Sequence, residues 1–225
     1  MATMVQIRET VALGLRRSPI VGVIRTHSRE EADFQARTLA SCGVELVEVT
    51  FTVPGASGLV RELLAGRPAG GPPWFGMGTV TTAARAREAI EAGAEFLVTP
   101  NVNAEVAREA RRAGLFLVMG ALTPTEIVNA VELGADIVKV FPLPPVGGPA
   151  YLSVIRGPLG DIPMQAAGGF GVEEIPAYAR AGAIAFGLAA PLMGVKPGGD
   201  PEEARRGVER ALALARGAAS PEEKR

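Results

Sequence analysis

Histidine, cysteine and lysine are scarce in this chain, and each shortage closes off a class of chemistry. With one histidine, His27, and one cysteine, Cys42, a single chain cannot assemble a nitrogen- or sulfur-rich metal cluster, which leaves only an all-oxygen magnesium site open. A lone cysteine forms no internal disulfide framework and fits a reducing cytoplasm. Serine–histidine nucleophile chemistry would need His27 beside a serine, and its place just past the first candidate strand reads as a loop position. No apolar run approaches the roughly 20 residues of a membrane span. The first 18 residues mix Arg8, Glu9, Arg16 and Arg17 with scattered Val, Ile and Leu, without the apolar block and cleavage site of a secretory signal. Charge of one sign is lacking too. The 23 basic and 24 acidic residues are interspersed and leave a net charge of -1, so neither nucleic acid nor a membrane surface is expected as a partner.

The lysine shortage carries the most information. Only Lys139, Lys196 and Lys224 break the run of arginines among the 23 basic residues. Lys224 belongs to the terminal tail and Lys196 to a Gly/Pro loop, whereas Lys139 lies inside the apolar run Ile137-Val138-Lys139-Val140-Phe141. Arginine stays protonated at any workable pH, but a desolvated lysine can shed its proton and attack a carbonyl. A lysine retained there points to work that arginine cannot do.

What is abundant is a regular alternation. Apolar stretches of strand length at 20–25, 45–50, 74–77, 95–98, 115–119, 136–140, 163–167 and 183–187 alternate with helical patterns, clearest at 29–41, 82–92, 104–113 and 124–133. Ser28 is the expected N-cap of the first of these, with Glu30 and Glu31 near its positive end. The phrases around Gly43, Gly93, Gly134 and Gly182 each end a helix and lead into a strand, as glycine at C′ permits. Parallel strands need crossover connections. Eight such units therefore predict an α/β fold, a closed (βα)₈ TIM barrel occupying residues 1–217 as one domain, with 1–18 as an extra N-terminal helix and 218–225 as a polar tail. An open doubly wound sheet is the alternative.

Barrel chemistry sits at the C-terminal strand ends. Those ends offer Arg25, Glu48, Thr50 and Thr52, the run from Gly76 to Thr79, then Thr99, Pro100 and Asn101, Gly120 and Thr123, Lys139, Gly168 and Gly169, and Gly187. Alternation places Lys139 on one face with Ile137 and Phe141, and Glu48 on one face with Leu46 and Thr50. If both face the lumen, a carboxylate meets an amine in a dry interior, where it can shuttle the protons of amine–carbonyl chemistry. The bland reading is a snorkelling lysine or a structural ion pair with Glu48. The glycines of Ala166-Ala167-Gly168-Gly169-Phe170-Gly171 and Phe186-Gly187-Leu188-Ala189 can offer backbone amides to a phosphate, or can simply make tight turns.

These phrases carry a resemblance. Val23-Ile24-Arg25, Glu48-Val49-Thr50-Phe51-Thr52-Val53-Pro54, Gly76-Met77-Gly78-Thr79-Val80 and Val98-Thr99-Pro100-Asn101 resemble the bacterial 2-keto-3-deoxy-6-phosphogluconate (KDPG) aldolases, which also act on 4-hydroxy-2-oxoglutarate. So do Gly120-Ala121-Leu122-Thr123-Pro124-Thr125-Glu126, Val138-Lys139-Val140-Phe141-Pro142 and Gly168-Gly169. The resemblance runs in order over residues 21–193. It implies a barrel assembled as a homotrimer, a small keto acid as substrate, no cofactor, Lys139 as Schiff-base lysine, Glu48 as general acid/base and Thr79 on the substrate carboxylate. It further implies Pro100 and Phe141 as apolar wall, and Gly168, Gly169, Gly187 and Leu188 around a phosphate. Where family members carry a carboxylate-binding arginine this chain has Thr52, and Arg25 is the expected replacement. The Thr and Ser hydroxyls of the family's phosphate loops are replaced by alanine and leucine, which favours a keto acid less dependent on phosphate. The rival readings are a phosphosugar isomerase or epimerase on the same barrel, using Glu48 without a lysine nucleophile, and a non-catalytic metabolite-binding barrel.

Overall fold

A computed structural model describes residues 4–67 and 71–218 of the chain; of the expected polar tail 218–225, Ala218 ends the last helix and the rest, Lys224 included, lies outside the described residues. Eight parallel strands close into one barrel in sequence order. They are β1 (Ile20–Ile24), β2 (Leu46–Thr50), β3 (Trp74–Gly78), β4 (Phe96–Val98), β5 (Phe116–Ala121), β6 (Ile137–Val140), β7 (Met164–Ala167) and β8 (Ala185–Ala189). The helices are α1 (Met4–Arg17) before the barrel, α2 (Arg29–Ser41), α3 (Ala56–Ala65), α4 (Ala83–Glu91), α5 (Ala104–Arg112), α6 (Pro124–Glu132), α7 (Gly148–Leu159), α8 (Ile175–Arg180) and the closing α9 (Pro201–Ala218).

Local chemistry sets the helix ends. Ser28 and Thr82 accept hydrogen bonds from Glu31 N and Arg85 N, and Asn103 accepts from two N–H groups of the first turn of α5. α6 opens with a reciprocal pair, Thr123 receiving the Glu126 amide while the Glu126 carboxylate receives the Thr123 amide, with Pro124 in the first turn. Gly43, Gly93, Gly134 and Gly182 all have positive φ, between 87° and 101°, the left-handed stop that glycine tolerates best. The alanine-rich eighth strand is shifted from its expected place, starting at Ala185 rather than 183 and running to Ala189. The ladder decides it: Gln165 pairs with Ala185 and Ala167 with Gly187.

The barrel carries two apolar layers. Outward side chains such as Val47, Val49, Met77, Val138, Val140, Ala166 and Leu188 pack beneath the helices. Inside, Val21, Leu46, Trp74, Phe96, Val98, Phe116, Val118, Ile137 and Ala185 fill the lower lumen, and Val11 and Leu15 of α1 plug it from below. Ion pairs Arg8–Asp136 at 2.6 Å and Arg17–Glu45 at 2.5 Å fasten that plug to the strand starts. Toward the C-terminal end the lumen residues shrink. Gly78, Gly120 and Gly187 stand where the lower layer has Trp74, Phe116 and Ala185. Small residues above a bulky floor leave a cleft at the C-terminal end, and a second cleft of about 340 Å³ lies outside the floor, beside α1.

Candidate active site

The cleft at the C-terminal end has about 350 Å³ and is lined by Val23, Arg25, Thr79, Pro100, Lys139, Phe141, Ala167, Gly168, Gly169, Gly187 and Ala189. Of the residues that the resemblance places at the site, all but Glu48 and Leu188 are among them. Glu48 lies beneath the cleft, fully buried. Leu188 is buried against the helix layer, because alternation turns Gly187 and Ala189 inward and Leu188 outward. At that position the cleft is lined by Ala189.

Lys139 is 6% exposed. Its Nζ lies 3.8 Å from Glu48 Oε2 and 5.4 Å from the centre of the Phe141 ring. The amine thus faces an acid on one side and an aromatic wall on the other. The fit around Glu48 is built in backbone: a Cβ on Gly78 would fall 1.8 Å from Glu48 Oε1, so only glycine at 78 leaves the carboxylate its place. Neither Glu48 oxygen has a hydrogen-bond partner among the described residues. A carboxylate left unsatisfied in a dry lumen is costly to hold, and its proton-accepting capacity is free for whatever enters from above. Lys196 is exposed, so of the two described lysines only Lys139 is desolvated.

At the rim, the Arg25 guanidinium donates to Thr79 Oγ1 at 3.3 Å, bringing together the two residues expected to hold a carboxylate. Thr79 has φ 59°, and among the described residues no other non-glycine has positive φ. A β-branched residue adopts that conformation only under constraint. Arg85 from α4 supplies the constraint, donating to Thr79 O at 3.3 Å and to Thr81 Oγ1 at 3.0 Å while its guanidinium sits over the Phe51 ring. No signal in the sequence distinguished Arg85 from the other surface arginines. Thr52 pairs its hydroxyl with that of Thr50 at 2.6 Å, while Thr50 donates to Ile24 O at 2.9 Å. His27 is exposed on the loop after β1.

Gly168 and Gly169 follow β7 with φ 135° and 94°, and a Cβ on Gly168 would strike the backbone of Leu143 at 2.8 Å. Two residues on, the amide of Gly171 is already taken by the Glu174 carboxylate at 2.6 Å. The loop can therefore present peptide N–H groups to an anion, but without hydroxyl or cationic side chains from β7 or β8.

A closed parallel barrel whose open end holds a desolvated lysine against a buried carboxylate has the parts that amine–carbonyl chemistry needs. The family model described as "Aldolase: KDPG and KHG aldolase" matches residues 11–196. The chain belongs to this family and is a class I aldolase. A probable 2-dehydro-3-deoxy-6-phosphogalactonate aldolase of Rhizobium meliloti is 33% identical over 80% of this chain and 83% of its own length. A 2-dehydro-3-deoxy-phosphogluconate aldolase of Haemophilus influenzae is 32% identical over 73% of this chain and 76% of its own. Among solved structures, a 4-hydroxy-2-oxoglutarate/2-dehydro-3-deoxyphosphogluconate aldolase from TTHB1 superposes with TM-score 0.77 at 30% identity, over 90% of this chain and 97% of that one. The isomerase and binding-barrel readings give way to this match. No helix among the described residues is long and apolar enough to cross a membrane.

Proposed function

We propose that this chain cleaves, and in reverse forms, the C3–C4 bond of a 4-hydroxy-2-keto acid through a Schiff base on Lys139. The observation that carries the reading is the buried Lys139–Glu48 pair, 3.8 Å apart at the open end of the lumen. The resting ammonium passes a proton to Glu48, and the neutral amine adds to the keto carbon. Dehydration gives an iminium, which accepts the electron pair of the breaking C3–C4 bond. Glu48 takes the C4 hydroxyl proton as the aldehyde leaves. The enamine is then protonated at C3 and hydrolysed to pyruvate and free lysine. Arg25 and Thr79 hold the carboxylate of the keto acid, and Pro100 and Phe141 form the apolar wall.

The relatives' names support a 2-keto-3-deoxy sugar acid or 4-hydroxy-2-oxoglutarate. The loop around Gly168, Gly169 and Gly187, lacking hydroxyls, supports a substrate whose binding leans little on phosphate. A hydrogen bond to a charged group contributes about 1.5–3 kcal/mol, so each missing hydroxyl removes tenfold or more of phosphate preference. Kinetics on KDPG and 4-hydroxy-2-oxoglutarate test this. The expected kcat/KM for the phosphorylated acid exceeds the other by no more than about tenfold, and Lys139→Arg turns over neither while keeping the fold. A phosphate preference of several orders of magnitude overturns the substrate reading, and an active Lys139→Arg variant overturns the lysine. The family resemblance further supports a homotrimer, and the single cysteine fits a reducing cytoplasm. Light scattering should return three times the chain's 23.3 kDa, and a monomer in solution contradicts the assembly.

A further inference from the structure

The lumen level of Lys139 holds one polar side chain that the mechanism leaves unused. Gln165 on β7 is fully buried, and neither Oε1 nor Nε2 has a hydrogen-bond partner among the described residues. Its neighbours Met164 and Ala166 pack outward under the helices, so Gln165 faces the lumen. There it stands in register with Lys139 on the adjoining strand, and adjoining strands lie about 4.8 Å apart. Its amide rises toward the cleft, since a Cβ on Gly187 would come within 2.6 Å of Gln165 Nε2, and Gly187 lines the cleft. Glycine at 187 thus gives a buried amide its room beside the nucleophilic amine. Leucine or methionine would fill the same space without a desolvation penalty. A neutral amide takes no part in proton transfer, but it can hold an oxygen atom in place.

We propose that Gln165 holds the oxygen that leaves and re-enters at the keto carbon, an inference that rests on the Schiff-base reading of Lys139. Amine addition forms the N–C2 bond, and the carbonyl oxygen becomes a hydroxyl with the proton released from nitrogen. The nitrogen lone pair then forms C=N as the C2–O bond breaks, and the hydroxyl leaves as water with the proton from the Glu48 carboxyl. Gln165 Nε2–H donates to that oxygen throughout, and the same contact aims the water that later hydrolyses the product iminium. Glu48 moves the proton and Gln165 fixes the oxygen.

Two isotope exchanges with pyruvate separate this role from mere packing. Washout of oxygen-18 from the keto group requires water to leave and return at C2. Deuterium uptake at the methyl group needs, beyond that passage, the iminium–enamine step, so slower water exit and return at C2 allow more methyl exchange for each oxygen washed out. Gln165→Met keeps the volume and removes the amide; Gln165→Leu is the second variant should the fold not accept methionine there. The expected result is a fall of roughly tenfold or more in the ratio of oxygen washout to methyl exchange, the scale of losing a donor to a reacting oxygen. Thermal stability should be equal or higher, because the variant buries no orphaned amide. A ratio equal to that of the unaltered protein overturns the proposal, whether or not both rates fall together. An unaltered protein silent in both exchanges overturns the Schiff-base reading itself, which is a distinct outcome.

Discussion

Lys139 and Glu48 do for each other what neither could do alone. A single charge in the lumen would be costly to bury, and the pair offsets part of that cost by mutual attraction at 3.8 Å. At the rim, the exposed Arg25 guanidinium donates to Thr79 Oγ1. If it binds the keto acid's carboxylate, Arg25→Gln should raise KM by about tenfold to a hundredfold, the weight of a charge-assisted pair, with a smaller change in kcat. Steady-state kinetics on pyruvate-yielding substrates measure this, and an unchanged KM removes Arg25 from the site. Lys139 was legible in the sequence because arginine replaces lysine nearly everywhere else, so its retention inside an apolar run stood out. Gln165 and Arg85 were not legible. One is an uncharged residue in the bland stretch Met-Gln-Ala-Ala, and the other is one arginine among many, given meaning only by the positive φ of Thr79 that it braces.

At the scale of elements, strands and helices were readable wherever a chemical boundary marked them. Ser28, Thr82, Asn103 and the Thr123–Glu126 pair announce helix starts, and the C′ glycines announce stops. β8 was misplaced by two residues because Ala183, Ala185, Ala189 and Ala190 offer neither a cap nor a change of polarity. The acidic residues that open strands proved to be structural. Glu95, just before β4, accepts Phe75 N at 3.0 Å and pairs with Arg67, whose guanidinium lies over the Trp74 ring. Burial nonetheless pushes the Glu95 carboxyl above its ordinary value of 4.5, against the opposing pull of Arg67 and the Phe75 amide. A raised acid favours the protonated fold, so its contribution is complete below 4.5 and is lost as pH climbs through the folded value. Glu95→Gln does not titrate. Its stability relative to the unaltered protein should therefore rise with pH over that interval, as read by denaturant unfolding on either side of it. A difference that stays flat, or falls, contradicts the sign. Loss of the Arg67 pairing adds an offset that is independent of pH.

For the whole molecule, closure of eight strands makes a lumen with two unlike ends. Aromatic and branched side chains with α1 beneath them fill the floor, while above them a hollow opens beside Gly187, and glycines at 78 and 120 make room for Glu48 and the Pro100 backbone. The closed barrel and its plugging helix could be anticipated from eight repeated units. The hollow could not, since it depends on which strand residues share a level, and that follows from the stagger of the closed sheet rather than from any local pattern. The chemistry at the open end is a covalent bond between one amine and one ketone, and it can be weighed. Incubation with pyruvate and borohydride, followed by mass analysis of the peptides, should place a single reduced pyruvate adduct on the peptide containing Lys139 and none on Lys196. An unmodified Lys139 peptide, or an adduct on another lysine, would contradict the account.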